Sequence, residues 1–400
     1  MKFNKWTLGL AAVGLVSWNS AAVAQDSAAP ATVLTSLSST TLSGYVDTSM
    51  QWNLGTGNAN TPPYSFGGAS KADGFNLNVV QLSLDKPLDE SEWAAGYHVD
   101  LWLGPDAAAL GSASIFSGTS DLGIRQAYIS LRTPVGNGLD WKVGVFDTVI
   151  GYESLASVNN PNYTHSYGFT IEPTTHTGIL GTYKVNDMIN VSAGIANTWG
   201  PTINERAQGP NLGGRVLAES SKTYMGAVAL TAPSDWGWAG GSTLSFGVVN
   251  GFNSAVNGFG ADQANVYAGL TMNTPISALK LGSSLDFVQI HDSARDAGIP
   301  DGTIWDGALY ATFQATEKLS FSGRGEFTDD STGTLTGVFP RAKIWSGTLT
   351  AQYDLWKNVI TRVEARWDHG DNGKFFGGQV AGSPDRRNAY LLAAQVIYKF

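Results

Sequence analysis

The sequence predicts an all-β fold: a transmembrane antiparallel β-barrel of about sixteen strands, with fourteen to eighteen as the range. Three observations lead there. Apolar and polar residues alternate with a period of two in segments of about ten residues, the pattern of a strand with one face in lipid and the other in a polar lumen. The connections between these segments run long, then short, as they do when long loops lie outside the cell and short turns face the periplasm. Aromatic residues gather near the strand ends on the apolar face, in two bands that suit the two membrane interfaces.

Ahead of the first strand, Lys2 and Lys5 precede an apolar run from Trp6 to about Trp18, and Ala22, Val23 and Ala24 form an A-x-A site. This is the layout of a secretory signal peptide over 1–24, cleaved before Gln25. A stretch rich in Ser, Ala and Thr over 25–40 reads as a short periplasmic lead-in, which leaves 41–400 for the barrel.

The strand segments fall near 42–52, 75–86, 93–103, 123–132, 140–148, 176–185, 189–199 and 222–230, then 243–250, 264–272, 280–289, 304–315, 319–328, 343–355, 358–368 and 388–400. In the first, Leu42, Gly44, Val46, Thr48, Met50 and Trp52 share the lipid face, while Asp47, Ser49 and Gln51 turn the other way. The second breaks phase at Val79–Val80, which reads as a bulge. The third sets Trp93, Ala95, Tyr97, Val99, Leu101 and Leu103 against His98 and Asp100. The fifth sets Trp141, Val143 and Val145 against Lys142, Gly144 and Phe146. Near 319–328, Arg324 and Glu326 lie opposite Leu319, Phe321 and Phe327; near 358–368, Arg362, Glu364, Arg366 and Asp368 oppose Val363, Ala365 and Trp367. The last segment ends on Phe400, with Tyr390, Leu392, Ala394, Val396 and Tyr398 on one face. A terminal aromatic on an alternating strand resembles the signal that outer-membrane proteins offer their assembly machinery. Closure against 42–52 also removes an apolar edge prone to aggregation. An even strand number places both termini in the periplasm. One aromatic band collects Trp93, Trp141, Tyr183, Tyr353 and Tyr398; the other collects Trp52, Trp199, Trp305, Trp345, Trp367 and Tyr390.

Composition narrows the function. With 42% hydrophobic and 14% charged residues, the chain is not of the disordered class. Its formal charge is −9, and without Lys2 and Lys5 the remainder is more acidic still, which argues against nucleic acid. The absence of cysteine excludes disulfides, thiol nucleophiles and Cys-based metal sites. Past the leader there is no run of eighteen apolar residues, which argues against helical membrane spans. A propeller would show a recurring blade signature, and a β-helix a shorter, steadier repeat. Neither occurs.

The segment 160–178 carries Asn160, Pro161, Tyr163, Ser166, Tyr167, Glu172, Pro173, Thr175, His176, Thr177 and Gly178. Together with Gly44–Asp47, Arg125–Leu131 and Gly144–Phe146, this resembles the OmpL-like β-barrel porin family, with His165 a departure where an arginine is expected. The resemblance implies a porin fold over the mature chain and leaves the substrate open.

The expected function is that of an outer-membrane porin for passive diffusion of small hydrophilic solutes and ions; the alternative is a barrel that acts as a surface binding or adhesion module, or as a scaffold around a partner protein. The connection 149–175 is the longest and most aromatic, and either folds inward to narrow the pore or packs on itself as an Ω-like surface loop. The inward reading makes Tyr152, Glu153, Tyr163, His165, Tyr167 and Glu172 constriction residues, facing a mixed-charge wall of Arg324, Glu326, Arg362, Glu364 and Arg366. Such a wall either sets up a transverse field for polar solutes or neutralises itself and stiffens the barrel. Net acidity favours a weak preference for cations, against the three wall arginines. H-E-x-x-H and G-x-S-x-G are absent, and the five histidines lack ligand spacing, so no enzyme, cofactor or tightly bound metal is expected. His165 and His176 can meet across the loop, in a structural hydrogen bond rather than a zinc site. Acidic loops at 301–306, 329–330 and 368–371 read first as solvated faces, with loosely bound calcium or bridges to lipopolysaccharide as the alternative. Outer-membrane lipids, the barrel assembly machinery and a homotrimer complete the expected partners.

Overall fold

The computed structural model describes residues 39–55, 57–113, 120–207, 220–252, 262–291, 301–336 and 341–400. The expected signal peptide and nearly all of the lead-in lie outside these residues. The strands are β1 (Thr41–Asn53), β2 (Gly74–Lys86), β3 (Ala94–Leu103), β4 (Leu122–Thr133), β5 (Leu139–Asp147), β6 (Thr175–Lys184), β7 (Ile189–Ala196) and β8 (Thr223–Thr231). They continue as β9 (Thr243–Phe252), β10 (Asp262–Asn273), β11 (Leu279–His291), β12 (Gly302–Gln314), β13 (Leu319–Asp330), β14 (Ala342–Trp356), β15 (Val359–Gly370) and β16 (Asn388–Lys399). Each pairs antiparallel with its sequence neighbours, and β1 pairs with β16, so the sixteen strands close into a barrel. Short turns gather at one end and long loops at the other, as expected. Two short helices, α1 (Pro105–Leu110) and α2 (Tyr167–Ile171), lie in the long loops.

Closure depends on one close approach. Gly44 and Phe400 exchange backbone hydrogen bonds of 3.0 Å in both directions. A Cβ at Gly44 would sit 2.1 Å from the Gln81 carbonyl and 2.7 Å from the Phe400 ring. Only glycine lets the terminal ring lie over the seam. The phase break in β2 is a bulge: Asp47 pairs with Val79 but Thr48 with Leu77. The residue skipped between them, Asn78, turns inward and donates to Asp47 Oδ1 at 3.0 Å.

The alternation sorts the wall as read from sequence. Outward residues such as Leu309 and Leu349 are 70% and 71% exposed, which suits lipid and not water. Toward the long-loop end, Trp305, Phe327, Trp345, Trp367 and Tyr390 form an outward aromatic row on five consecutive strands, with Phe327 and Trp345 centroids 4.4 Å apart. Trp199 does not join it. β7 ends at Ala196, and the Trp199 indole turns back to donate to Asn265 Oδ1 at 2.8 Å. The three acidic segments expected as loops lie partly on strands: Asp306 and Asp368 fall within segments already read as strands, and β13 runs on past 328 to Asp330. Asp306, Asp329, Asp330 and Asp368 all sit on strands. Asp306 and Asp368 are buried, Asp329 pairs with Arg341, and Asp330 accepts from Thr332, Gly333 and Leu335.

Candidate functional site

An inward position on a barrel strand is polar at no cost only if water or a partner reaches it. In this barrel much of the lumen is filled by the connection between β5 and β6, loop 148–174. Its base is closed by Thr148 N donating to Thr174 O at 2.9 Å. From there it crosses the lumen and lies against the walls on both sides.

The loop's first residues are apolar and take an apolar bed. Val149, Ile150 and Tyr152 pack with Phe146, Leu180, Met225, Val249 and Tyr267. The Tyr152 and Tyr310 rings stack at 4.2 Å. The expectation of a uniformly polar lumen fails here: Met225, Ala229 and Val249 are inward, buried and apolar. Further on, Leu155, Ala156 and Phe169 pack with Tyr45, Val79, Trp102, Ile360 and Ile397.

Between these clusters the loop backbone lacks a sheet partner, and its N–H and C=O groups must be satisfied by side chains. The wall charges of β13 and β15 satisfy them, with β14 between supplying threonine hydroxyls. Glu364 accepts from Tyr163 N at 2.6 Å, Thr164 N at 3.0 Å and Thr164 Oγ1 at 2.6 Å. Thr350 steadies the same carboxylate at 2.7 Å. Arg324 donates to Thr164 O at 2.7 Å and His165 O at 3.1 Å, and Arg366 donates to His165 O at 2.6 Å. Glu326 accepts from Tyr167 N at 2.7 Å, while Tyr167 OH reaches Asp368 at 2.8 Å. Arg362 donates to Ser157 O at 3.0 Å. Ser166 caps α2 by accepting from Phe169 N at 3.0 Å.

The five wall residues are therefore covered by the loop rather than set across an open lumen from it. All are buried, and their charges grip the loop backbone. Of the expected loop residues, Tyr152, His165, Tyr167 and Glu172 are buried, Glu153 is half-buried with its side chain 4% exposed, and Tyr163 is half-buried with its hydroxyl 3.0 Å from Ser49 Oγ. Glu153 accepts from Arg324 at 2.9 Å and Tyr310 OH at 3.1 Å, and meets His165 Nδ1 at 2.9 Å. Burial pushes its carboxyl up, but Arg324 and His165 more than reverse this and hold it at about 2. Glu172 goes the other way. Burial and then the neighbouring Asp286, Glu153 and Asp306 carboxylates raise it well above the usual range. Gly168 passes beside that acidic wall: a Cβ there would lie 2.8 Å from Asp286 Oδ2 and 3.0 Å from Asp306 Oδ1. His165 and His176 find separate partners. His165 stacks on Phe169 at 3.9 Å, and His176 meets Thr148 Oγ1 at 3.1 Å.

Sequence reading missed several participants. Asp47 accepts from Ser157 Oγ at 2.5 Å. Asn162 donates to Thr350 at 2.7 Å. Tyr64, from the loop between β1 and β2, is buried in the lumen with the Arg366 guanidinium 4.3 Å above its ring. The inward phase of β1 does mark Asp47; no local pattern marks Tyr64 or Asn162.

Residues 39–400 match the family described as beta-barrel porin-2, OmpL-like. The chain belongs to this family. It is an outer-membrane porin, a path for the passive diffusion of small hydrophilic solutes and ions, as the family and the closed barrel together show. No curated protein matches the porin. Among solved structures it is similar to the outer membrane channel DcaP of Acinetobacter baumannii, with a TM-score of 0.57 and 12% identity over 90% of the porin and 97% of that chain. The anion-selective porin from Comamonas acidovorans gives a TM-score of 0.58 and 15% identity over 90% of the porin and 99% of that chain. In-vitro folded OmpT of Vibrio cholerae, in its trimer form, gives 0.55 and 12% over 90% and 99%. At these identities the likeness shows the fold.

Proposed function

We propose that loop 148–174 is the constriction of this porin, and that its seating on β13–β15 sets which small solutes and ions pass. The carrying observation is that Glu364, Arg324 and Arg366 hold consecutive backbone groups of residues 163–165 inside the lumen. A loop held by several charge-assisted hydrogen bonds resists displacement and makes the residual opening reproducible. Single-channel conductance in planar bilayers tests this, comparing the native chain with one in which residues 154–171 are replaced by a short Gly-Ser link. The shortened loop is expected to raise conductance and blunt size discrimination. Equal conductance would place the constriction elsewhere, and a correctly folded native barrel that fails to conduct would defeat the channel itself.

The same reading extends to the surroundings. Both ends of an even-stranded barrel fall on the short-turn side, taken as the periplasm. Phe400 is the terminal aromatic offered to the barrel assembly machinery. The outward aromatic row and apolar band sit in outer-membrane lipid and lipopolysaccharide. A homotrimer fits the precedent of Vibrio cholerae OmpT, described in a trimer form. The protein acts as a channel and not as an enzyme. Where serine, histidine and aspartate do meet, Ser83 Oγ donates to Asp100 at 2.5 Å and His98 Nε2 lies 3.1 Å from the same carboxylate. Nucleophilic catalysis needs the hydroxyl on the imidazole.

A further inference from the structure

A cavity of about 270 Å³ lies on the short-turn side of loop 148–174, roofed by residues 158–161. Its floor is made of inward side chains from six strands, β11 to β16. Lys280 pairs with Thr312 and Thr312 with Ser322, while Ser320 pairs with Gln352 and Gln352 with Arg362. Lys280 stands at one end, Arg362 and Lys399 at the other, and hydroxyl and amide groups lie between.

Three cations line this cavity against one carboxylate, and none of the three is ion-paired. Among the described residues, Lys280, Arg362 and Lys399 have no carboxylate within ion-pair distance. Arg362 is 3% exposed, yet its hydrogen bonds go to neutral oxygens of Ser157, Gln352 and Gln395. The carboxylates nearest to it are engaged elsewhere, Asp47 by Ser157 and Gln395 and Glu364 by the loop. Asp354 is the single carboxylate lining the cavity, and Gln352 Nε2 donates to it at 3.3 Å. A cationic group kept from water without a counter-charge is costly, and an entering anion relieves that cost. A guanidinium and ammonium groups lining one cavity suit a carboxylate or phosphate, and the hydroxyls between them suit the remaining oxygens.

We propose that this cavity is a binding subsite for a small oxyanion, a carboxylate- or phosphate-bearing solute held between Lys280, Arg362 and Lys399 directly under the constriction loop. The proposal names a solute class for the channel and rests on the lumen being a solute path, but its test does not need conduction. Inorganic phosphate is titrated calorimetrically into the full chain folded in detergent, against the double variant Lys280→Gln/Lys399→Gln and against Asp354→Asn. Heat-modifiable migration on gels reports that each barrel is folded. The native chain is expected to bind phosphate saturably, the double variant to bind about tenfold more weakly, as the loss of a charged hydrogen-bond partner implies, and Asp354→Asn to bind more tightly. A neutral sugar at the same concentration is expected to give no saturable heat. Absence of saturable phosphate binding by the folded native chain overturns the subsite, as does equal affinity in the double variant. Either result leaves conductance, and with it the channel reading, to be judged separately.

Discussion

Glu364 shows how one side chain can decide the state of a whole loop. Its two oxygens accept from Tyr163 N, Thr164 N, Thr164 Oγ1 and Thr350 Oγ1. In Glu364→Gln, an amide N–H must face one of those donors. Hydrogen bonds to a charged group contribute about 1.5–3 kcal/mol each, so the loop is expected to loosen while the barrel stays closed. Hydrogen exchange at residues 163 and 164 should rise, and single-channel current should become noisier. Unchanged protection would mean that the apolar clusters alone hold the loop. Glu172 carries a pH dependence of known sign. Its carboxyl is raised by burial and by Asp286, so the folded loop retains a proton that an unfolded chain releases. The stability this adds is complete below the ordinary carboxylate range and fades as pH rises through the raised value. Loop protection should therefore fall with rising pH in the native chain, and Glu172→Gln, which mimics the protonated form, should flatten the profile. A variant that retains the full pH dependence would assign it to other groups.

At the scale of elements, loop 148–174 joins two kinds of surface that the strand alternation keeps apart. Its apolar residues cover the inner faces of β8 and β9, and its backbone is seated on the charges of β13 and β15. Two consequences follow for selectivity. Arg324 and Arg366 are paired with Glu153, Glu326 and Asp368, so they contribute less field to a passing ion than their inward phase implies. The lysines of β11 and β16 are the accessible cations at the short-turn cavity, Lys280 half-buried and Lys399 exposed, and Asp354 beside them is half-buried. Local charge dominates over distant charge beyond about 8 Å at physiological ionic strength. The net charge of −9 is thus a poor guide to the path. In a salt gradient, Lys280→Gln/Lys399→Gln is expected to move the reversal potential towards cations. A reversal potential that does not move would place the selective charges elsewhere in the lumen.

For the whole molecule, closure is the cooperative event. Sixteen strands leave no free edge only when β1 meets β16, and the last contact of that seam is the Gly44–Phe400 pair. Deleting Phe400 removes two backbone hydrogen bonds and the ring that lies over Gly44. The truncated chain is expected to lose its folded, fast-migrating form at a lower temperature than the native chain when heated in detergent before electrophoresis. Identical melting behaviour would show that the seam is complete at Lys399.

The barrel was legible in the sequence because lipid on one side and lumen on the other act on every strand separately. A period of two, repeated sixteen times with long and short gaps, needs no knowledge of which strands share a height, and the bulge of β2 shows in its broken phase at Val79–Val80. The candidate loop was legible as an element by its length and aromatic content. Its contacts were not. Glu364 meets Tyr163 and Arg324 meets Thr164 across sequence separations of 201 and 160 residues, and the offset between strands in a tilted barrel decides which inward residues face one another. The same tertiary geometry turned expected pore-lining charges into anchors, drew Trp199 out of the aromatic band, and left Lys280, Arg362 and Lys399 without carboxylate partners beside one cavity among the described residues. Alternation is a local property written into each strand, whereas burial and pairing depend on what the closed barrel and its inserted loop bring together.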